Sequence, residues 1–246
     1  MPRLNAGNDI ENWPKLSYEE IERRLENRDY LTWIDYRNAA FIAALALFGR
    51  RVSEILELKV KDVRYDDQYI YASFTTLKQF SPARVICGQC LTPCRASWSF
   101  CKKCGASLEG LPVIQKEVKK EPHQLMRTLR TNLAEHLTEW IRVCQKRAPA
   151  DAYLFPPADL PGIFASQSRP VWSRHITRRM ALNVVKTVDQ RLWNHLFRHQ
   201  LASYFAGKGF DEVHLMDWFD WKSYEIAHRY IRLGGGKRIK DMADTR

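Results

Sequence analysis

The stretch "WNHLFRHQLA" (193–202) carries three side chains able to hold a phosphate within an otherwise apolar run. His195 and Arg198 are three residues apart, and His199 follows directly. An α-helix places residues three apart on one face, so His195 and Arg198 point the same way. The stretch is either a helix packed into the core that carries a few polar side chains, or one edge of an active site. The rest of the sequence distinguishes these two interpretations.

Hydrophobic periodicity predicts a mainly helical chain around this stretch. Ser17, three residues before Glu20, has the pattern of a capping box at the start of the first helix. "DDQYIYASFTTL" (66–77) is rich in aromatic and β-branched residues and is predicted to be a strand. The predicted class is mainly α with a small antiparallel β-sheet (α+β), with helices over 16–27, 31–48, 52–58, 132–144 and, in several segments, 171–233.

The chain is strongly basic. It has 39 Lys and Arg against 28 Asp and Glu, a net charge of +11 over 246 residues. Such an excess favours a polyanionic partner, usually nucleic acid, because each neutralised phosphate releases counterions. No stretch approaches the roughly 20 apolar residues of a membrane helix, and the N-terminus lacks the apolar core of a secretory signal. We therefore expect a cytoplasmic, DNA-associated protein without membrane contact.

A cysteine-rich segment, "CGQCLTPCRASWSFCKKCG" (87–105), contains two Cys-x-x-Cys pairs. Two such pairs present four thiolates to one tetrahedral Zn²⁺, and Gly105 permits the tight turn after the second pair. The alternative is disulfides or free thiols, and the lack of a secretory signal disfavours disulfides. Four sulfur ligands leave no open position for water or substrate, so the zinc is predicted to be structural. The predicted ligands are Cys87, Cys90, Cys101 and Cys104.

The sequence predicts different roles for the two remaining cysteines. Cys94 is a spare thiol that can replace one of the four ligands, whereas Cys144 is predicted to be a packed core thiol. A segment of this size buries little core, so metal binding would supply its folding energy. We predict a zinc-ribbon-like insertion at 81–110 within one domain formed by 1–80 and 111–246.

Other residues with phosphate chemistry lie far from the opening stretch. In "FGRRVSEILELKVKDV" (48–63), Arg51 follows a Gly-Arg turn, and Glu54 is placed to orient its guanidinium. Trp221 follows Arg198 in the chain, and Tyr230 lies nine residues beyond Trp221. Taken singly, each has an ordinary structural explanation, such as a surface ion pair or a packed ring. The ordered set favours an active site.

This ordered set resembles the tyrosine recombinases, the phage-integrase family. "GRRVSEILELKVKDV" is similar to the first catalytic box, "HLFRH" to the second (His-x-x-Arg-His), and "FDWKSYEIAHRY" to the final segment, with Phe-Asp-Trp in place of the usual Leu-Gly-His. "FTTLKQF" supplies Lys78 where the family keeps a β-hairpin lysine. The resemblance covers about 16–233, the family's catalytic domain. The chain is too short to include the family's usual N-terminal helical domain, and the cysteine insertion is not standard in the family. We therefore expect either a minimal enzyme or a fragment.

The resemblance implies a DNA strand transferase that forms a 3′-phosphotyrosine and needs no catalytic metal. Arg51 and Arg198 would brace the non-bridging oxygens of the phosphate. Tyr230 would attack phosphorus, with His195 as its proton acceptor. The remaining assignments are Lys78 as the acid for the departing 5′ oxygen, Trp221 as a packing residue with an indole N–H for the phosphate, and Glu54 and His199 as supporting residues.

Some assignments have rivals in the sequence. Tyr224 lies close enough to Tyr230 to be an alternative nucleophile, and Lys59 and Lys61 compete with Lys78. "SRHITRRM" (173–180) is predicted to be helical and to form a basic strip, either for a DNA backbone or as a solvated face. The three arginines of this strip are Arg174, Arg178 and Arg179.

The implied partners are double-stranded DNA and further copies of the chain. The family resemblance implies a site-specific recombinase or integrase that assembles on DNA as a homo-oligomer, either a dimer or a tetramer. One alternative is a type IB topoisomerase-like enzyme, which uses the same chemistry on one strand. Another is a DNA-binding accessory protein with a vestigial cleavage site, in which the zinc ribbon provides the contacts.

Overall fold

The computed structural model describes residues 17–75, 83–114, 122–160 and 164–232. The chain divides into two compact units, one formed by Met1–Phe74 with His123–Arg246 and the other by Thr75–Pro122. The predicted insertion at 81–110 lies inside the second unit. Lys78 lies outside the described residues.

Helices make up most of the first unit, which confirms the predicted class. Within the described ranges, none of them has the length and hydropathy of a membrane span. The helices are α1 (Tyr18–Glu26), α2 (Trp33–Phe48), α3 (Val52–Leu56), α4 (Asn132–Arg147), α5 (Arg178–Lys186), α6 (Asn194–Gly207), α7 (Glu212–Phe219) and α8 (224–232).

Polar caps fix where several of these helices begin. The hydroxyl of Ser17 accepts a hydrogen bond from the backbone N–H of Glu20 at 3.2 Å, as its sequence pattern predicted. The Thr177 hydroxyl accepts from the backbone N–H of Met180 in the same way. This cap starts α5 at Arg178, so the prediction of a helix from about residue 171 is wrong. Arg174 consequently lies ahead of the helix rather than one turn from Arg178.

Helix α2 forms the centre of the first unit. It is buried continuously from Ala39 to Phe48 and packs against α4 and α6. A helix that is apolar on every side is stable only when neighbours cover it, which explains the long apolar run in its sequence. The helix ends at Gly49, whose φ of 58° lies in the left-handed region.

A small sheet completes the first unit. Its strands, β1 (Val63–Tyr65), β2 (Tyr69–Thr75) and β6 (Pro122–Thr128), lie in the order β1-β2-β6. β1 and β2 are antiparallel, with Val63 opposite Ala72. Alternate residues of β2 are buried, namely Ile70, Ala72 and Phe74.

The second unit has a sheet of its own, in which β3 (Arg84–Ile86) lies between β4 (Pro93–Arg95) and β5 (Val113–Ile114). Gly105 has a φ of 75°, which agrees with the turn expected after the second cysteine pair. The small core of the second unit consists of Val85, Cys87, Cys94, Cys101 and Leu108.

We predict that Gly49→Ala destabilises the first unit by about 2–4 kcal/mol, from left-handed strain together with overpacking. A Cβ at this position would lie 2.8 Å from Cδ2 of Leu201 and 3.0 Å from Cε1 of Phe219. The control is Gly207→Ala, because that glycine has no heavy atom within 4 Å of its added Cβ. The measurement is urea denaturation of both variants, and equal midpoints would contradict the predicted close approach.

Candidate active site

The centre of the site is the carboxylate of Glu54, whose side chain is fully buried at the third position of α3. Its Oε2 accepts hydrogen bonds from the backbone N–H of Arg51 at 3.1 Å and from Nε of Arg50 at 3.0 Å. Its Oε1 accepts from Nη1 of Arg51 at 2.9 Å. One buried carboxylate therefore holds two arginines, whose charges compensate the cost of its burial.

Arg51 is the accessible member of this pair of arginines. Its side chain is 23% exposed, whereas that of Arg50 is fully buried. The predicted contact between Arg51 and Glu54 is confirmed. Because Glu54 restricts the side chain to one orientation while part of it remains accessible, Arg51 can present N–H groups to an anion without first being ordered.

Arg50 is a site residue that the sequence analysis missed. Its Nη1 donates to the backbone carbonyl of Trp218 at 3.2 Å and lies 3.3 Å from Nδ1 of His123. A guanidinium only donates, so Nδ1 of His123 must accept and the ring proton must lie on Nε2. Among the described residues, Nη2 of Arg50 is buried without a hydrogen-bond partner. The one signal in the sequence was a charged residue two positions after the uninterrupted apolar run 39–48.

Arg198 is held inside the same region by backbone carbonyls. Only 2% of its surface is exposed. Its Nη1 donates to the carbonyl of Gly49 at 3.2 Å, and its Nη2 donates to that of Phe219. Burial, followed by repulsion from Arg51 and Arg50, lowers the pKa of Arg198 to about 9. The guanidinium remains charged near neutral pH, so three cationic groups lie close together.

Aromatic rings line the other side of Arg198. Its Cζ lies 5.0 Å from the ring centroid of Phe219 and 5.4 Å from that of Trp221. The rings of Trp221 and Tyr230 stack with centroids 5.2 Å apart and an interplanar angle of 11°. The structure thus brings together two distant motifs of the sequence, the His-x-x-Arg stretch on α6 and the final segment.

The hydroxyl of Tyr230 contacts Nδ1 of His199. Tyr230 is 3% exposed, and burial raises its pKa to about 12, against partial compensation from Arg198. Burial, then the charges of His195 and Arg198, lowers the pKa of His199 to about 3. At neutral pH the pair is therefore a protonated phenol beside a neutral imidazole.

The structure gives His199 the contact for which the sequence analysis had favoured His195. The two histidine rings lie edge to face, with centroids 4.6 Å apart. The rival nucleophile Tyr224 is exposed on α8, and its hydroxyl donates to Oε1 of Glu212 at 3.1 Å. That bond ties Tyr224 to α7 rather than to the arginines.

The rivals of Lys78 have other contacts. Nζ of Lys59 lies 5.7 Å from the ring centroid of Tyr153, and Nζ of Lys61 forms an ion pair with Asp151. Neither contact involves an arginine of the site. The role of Lys78, which lies outside the described residues, stays a prediction.

The segment that connects α7 to α8 departs from the family motif at Asp220. Its φ is 50°, in the left-handed region where glycine is most favourable. Aspartate is among the few other residues that adopt this conformation readily. One of its carboxylate oxygens pairs with Lys222 at 3.2 Å, and its negative charge partly opposes the lowering of the Arg50 pKa by burial. Asp220 therefore adopts a conformation that glycine, the usual residue of the motif, favours, and it adds a charge near Arg50.

The four predicted zinc ligands cluster in the second unit. Their Sγ atoms all lie within 4.8 Å of one another, and two pairs, Cys87 with Cys104 and Cys90 with Cys101, are 3.5 Å apart. Backbone N–H groups of Cys104 and then Lys103 lower the pKa of Cys101 to about 6, which favours its thiolate. Cys94 is not in this cluster, and its Sγ donates to the carbonyl of Thr92.

We predict that Glu54→Gln destabilises the protein by about 3–5 kcal/mol, because it leaves the buried Arg50 without its counter-charge. The control is Glu57→Gln, since the side chain of Glu57 is 43% exposed. Both variants would be compared by urea denaturation. A loss for Glu54→Gln no larger than that of the control would disprove the role of its charge.

The described DNA-binding candidates lie at the surface. Arg174 is exposed ahead of α5, while Arg178 and Arg179 are exposed in its first turn. That turn contains no acidic residue. Basic side chains there oppose the positive end of the helix dipole, an arrangement that becomes favourable when an anion binds.

Comparison with solved structures shows that other proteins share this fold. XerH site-specific recombinase bound to difH substrate, in a pre-cleavage complex, has a TM-score of 0.56 at 14% identity over 92% of this chain and 50% of XerH. XerA recombinase has a TM-score of 0.54 at 15% identity over 95% of this chain and 66% of XerA. These likenesses show the fold, and the chain spans about half the length of XerH.

No curated protein matches the chain in sequence. The model of the phage integrase family matches residues 108–234, slightly more than half of the chain. This range includes Arg198, Trp221 and Tyr230, and Arg51 precedes it. The chain therefore belongs to the phage integrase family.

Proposed function

We propose that the protein is a site-specific recombinase or integrase that cleaves and rejoins double-stranded DNA through a 3′-phosphotyrosine. The observation that carries the proposal is the contact of the Tyr230 hydroxyl with His199, one residue from the buried Arg198. A phenol, a neutral imidazole and a cluster of guanidinium groups form a suitable set for nucleophilic attack on a phosphodiester.

In the proposed reaction, the oxygen of Tyr230 bonds to phosphorus as the bond from phosphorus to the 5′ oxygen breaks. The phenol proton passes to a histidine, and Lys78 protonates the departing 5′ oxygen. Attack by the 5′ hydroxyl of another strand on the phosphotyrosine then releases Tyr230 and restores the DNA backbone. The phosphotyrosine conserves the bond energy, so no nucleotide cofactor and no catalytic metal are needed.

Arg51 and Arg198 would stabilise the charge that develops on the non-bridging oxygens. Glu54 and the backbone carbonyls of Gly49 and Phe219 orient these two side chains before DNA binds. Such preorganisation matters because the donors need no reorientation in the transition state. Trp221 would donate its indole N–H to the phosphate while its ring supports Tyr230.

The proton acceptor for Tyr230 is proposed to be one of the two histidines on α6. His199 contacts the hydroxyl and is neutral at physiological pH because of its lowered pKa, whereas His195 packs against His199. A pKa of about 12 for Tyr230 means that attack requires such an acceptor. Because Tyr230 is only 3% exposed, its side chain must also become accessible when DNA binds.

DNA binding would use the basic side chains at and just before the start of α5. Arg174, Arg178 and Arg179 are exposed and suited to phosphate contacts. We further propose that copies of the chain assemble on DNA as a dimer or tetramer, since joining two duplexes requires several active sites, and that the protein is cytoplasmic. A topoisomerase-like enzyme or a non-catalytic DNA-binding protein is an outcome of the test below.

We predict that Tyr230→Phe abolishes covalent protein–DNA adducts and that Tyr224→Phe retains them. Duplexes selected by binding from a randomised pool would be incubated with each variant in EDTA and resolved on denaturing gels. The two changes are chemically identical, and Tyr224 is tied to Glu212. Adducts in Tyr230→Phe would move the nucleophile elsewhere. Binding without adducts in the native chain would favour an accessory protein, and relaxed plasmid without strand exchange would favour a topoisomerase.

We also propose that Cys87, Cys90, Cys101 and Cys104 hold one structural Zn²⁺. Tetrahedral zinc with bonds of about 2.3 Å requires sulfur atoms about 3.8 Å apart, and the observed separations of 3.5 Å to within 4.8 Å fit that requirement. When bound, the ion would supply a closed cross-link and no chemistry. The four thiolates would hold the two cysteine turns beside the small core.

We expect Cys101→Ser to lose the metal and Cys94→Ser to retain it, since only Cys101 belongs to the cluster. The measurement is zinc content per chain by atomic emission after gel filtration. Cys94 is the matched control, because it is equally buried in the same unit. Loss of zinc from the Cys94 variant would place that thiol among the ligands instead.

A further inference from the structure

We infer that the second unit contacts duplex DNA through one face of its sheet, with Arg84 and Arg95 as the phosphate-binding residues. The inference rests on the proposed function because it takes DNA as the partner. It goes beyond that function by adding a DNA contact outside the active site, on strands β3, β4 and β5, which contain none of the proposed catalytic residues.

The strand register defines this surface. Arg84 lies directly opposite Arg95 on β4 and Ile114 on β5, and Ile86 lies opposite Pro93. Directly opposite residues share a face, and residues two apart in a strand point the same way. All five side chains are exposed, and together we call them the arginine face.

The other face of the sheet belongs to the small core. Val85 and Cys94, which are opposite each other, are both buried. The sheet therefore has a fixed orientation within its own unit, and a one-residue slip of β3 or β4 would turn the arginine of that strand toward the small core. The arginine face is thus an obligatory outward surface of this unit.

The arginines of this face have no acidic counterpart. Like charges directly opposite each other destabilise a sheet. Across the described ranges, no salt bridge involves Arg84 or Arg95, and residues 83–114 contain a single acidic residue, Glu109, among four basic ones. A partner that brings adjacent negative charges would convert this repulsion into attraction. Successive phosphates of a DNA strand have that character.

The composition of the arginine face favours DNA over a protein partner. A stable protein interface covers roughly 800 Å² on each side, and five side chains on short strands are too few for that. Guanidinium groups also match phosphate oxygens in geometry and can bind them bidentately. Ile86 and Ile114 would lie beside the two arginines, where they can contact the sugars.

The experiment measures binding of the full chain to a fluorescein-labelled mixed-sequence DNA duplex by anisotropy at several salt concentrations. The test variant is Arg84→Ala with Arg95→Ala. The control is Lys146→Ala with Arg147→Ala, which removes the same charge from exposed positions at the end of α4. Zinc content and circular dichroism establish that both double variants are folded.

We expect the test variant to bind on the order of tenfold more weakly, and its salt slope to fall by about 1.8, or 0.9 for each lost phosphate contact. The control should change neither quantity by as much. Equal effects in both variants, or no binding by the native chain, would overturn the inference. Unchanged DNA binding with a lower oligomeric mass in light scattering would also overturn it and assign the face to a second copy.

The adduct assay separates this inference from the proposed function. If the arginine variant shows the expected salt slope and the native chain forms no Tyr230-dependent adduct, then DNA binding by the second unit stands without the cleavage chemistry. If adducts form and the slope is unchanged, the chemistry stands and the arginine face has no part in DNA binding.

Discussion

The buried carboxylate of Glu54 is the interaction on which the site depends. It neutralises Arg50 and orients Arg51, so that one arginine connects structural elements while the other remains accessible. Arg50 then reaches the end of α7 through the carbonyl of Trp218. Without that carboxylate, a fully buried guanidinium would be uncompensated, at a cost far greater than any surface ion pair.

Arg50, from the turn between α2 and α3, and Arg198, from α6, thus end at neighbouring carbonyls of α7. Arg50 uses Trp218, and Arg198 uses Phe219. The C-terminal end of a helix carries partial negative charge, so it is a suitable place for cations. Since Trp221 lies two residues beyond Phe219 and stacks on Tyr230, the position of the proposed nucleophile depends on these contacts. Fold and chemistry are therefore coupled through backbone carbonyls rather than through side chains alone.

Local sequence predicted the parts of the site that depend on spacing along one element. The Arg51–Glu54 pair, the Ser17 cap and the four-cysteine cluster are of this kind. Arg50 was missed because its partners besides Glu54 come from distant segments. The sequence could not show which of His195 and His199 contacts Tyr230 either. Both are on α6, and only the packing of α8 decides which ring meets Tyr230.

The place of the second unit in the chain explains how the fold of the first unit can tolerate it. The unit follows β2 and precedes β6, and these two strands are neighbours in one sheet. Neighbouring strands lie about 4.8 Å apart, so an insertion whose ends are close together need not disturb the ladder on either side. A bound metal would stabilise the insertion independently, since its own core is small. The chain can thereby acquire the arginine face without repacking the carbonyl and carboxylate contacts that position Tyr230.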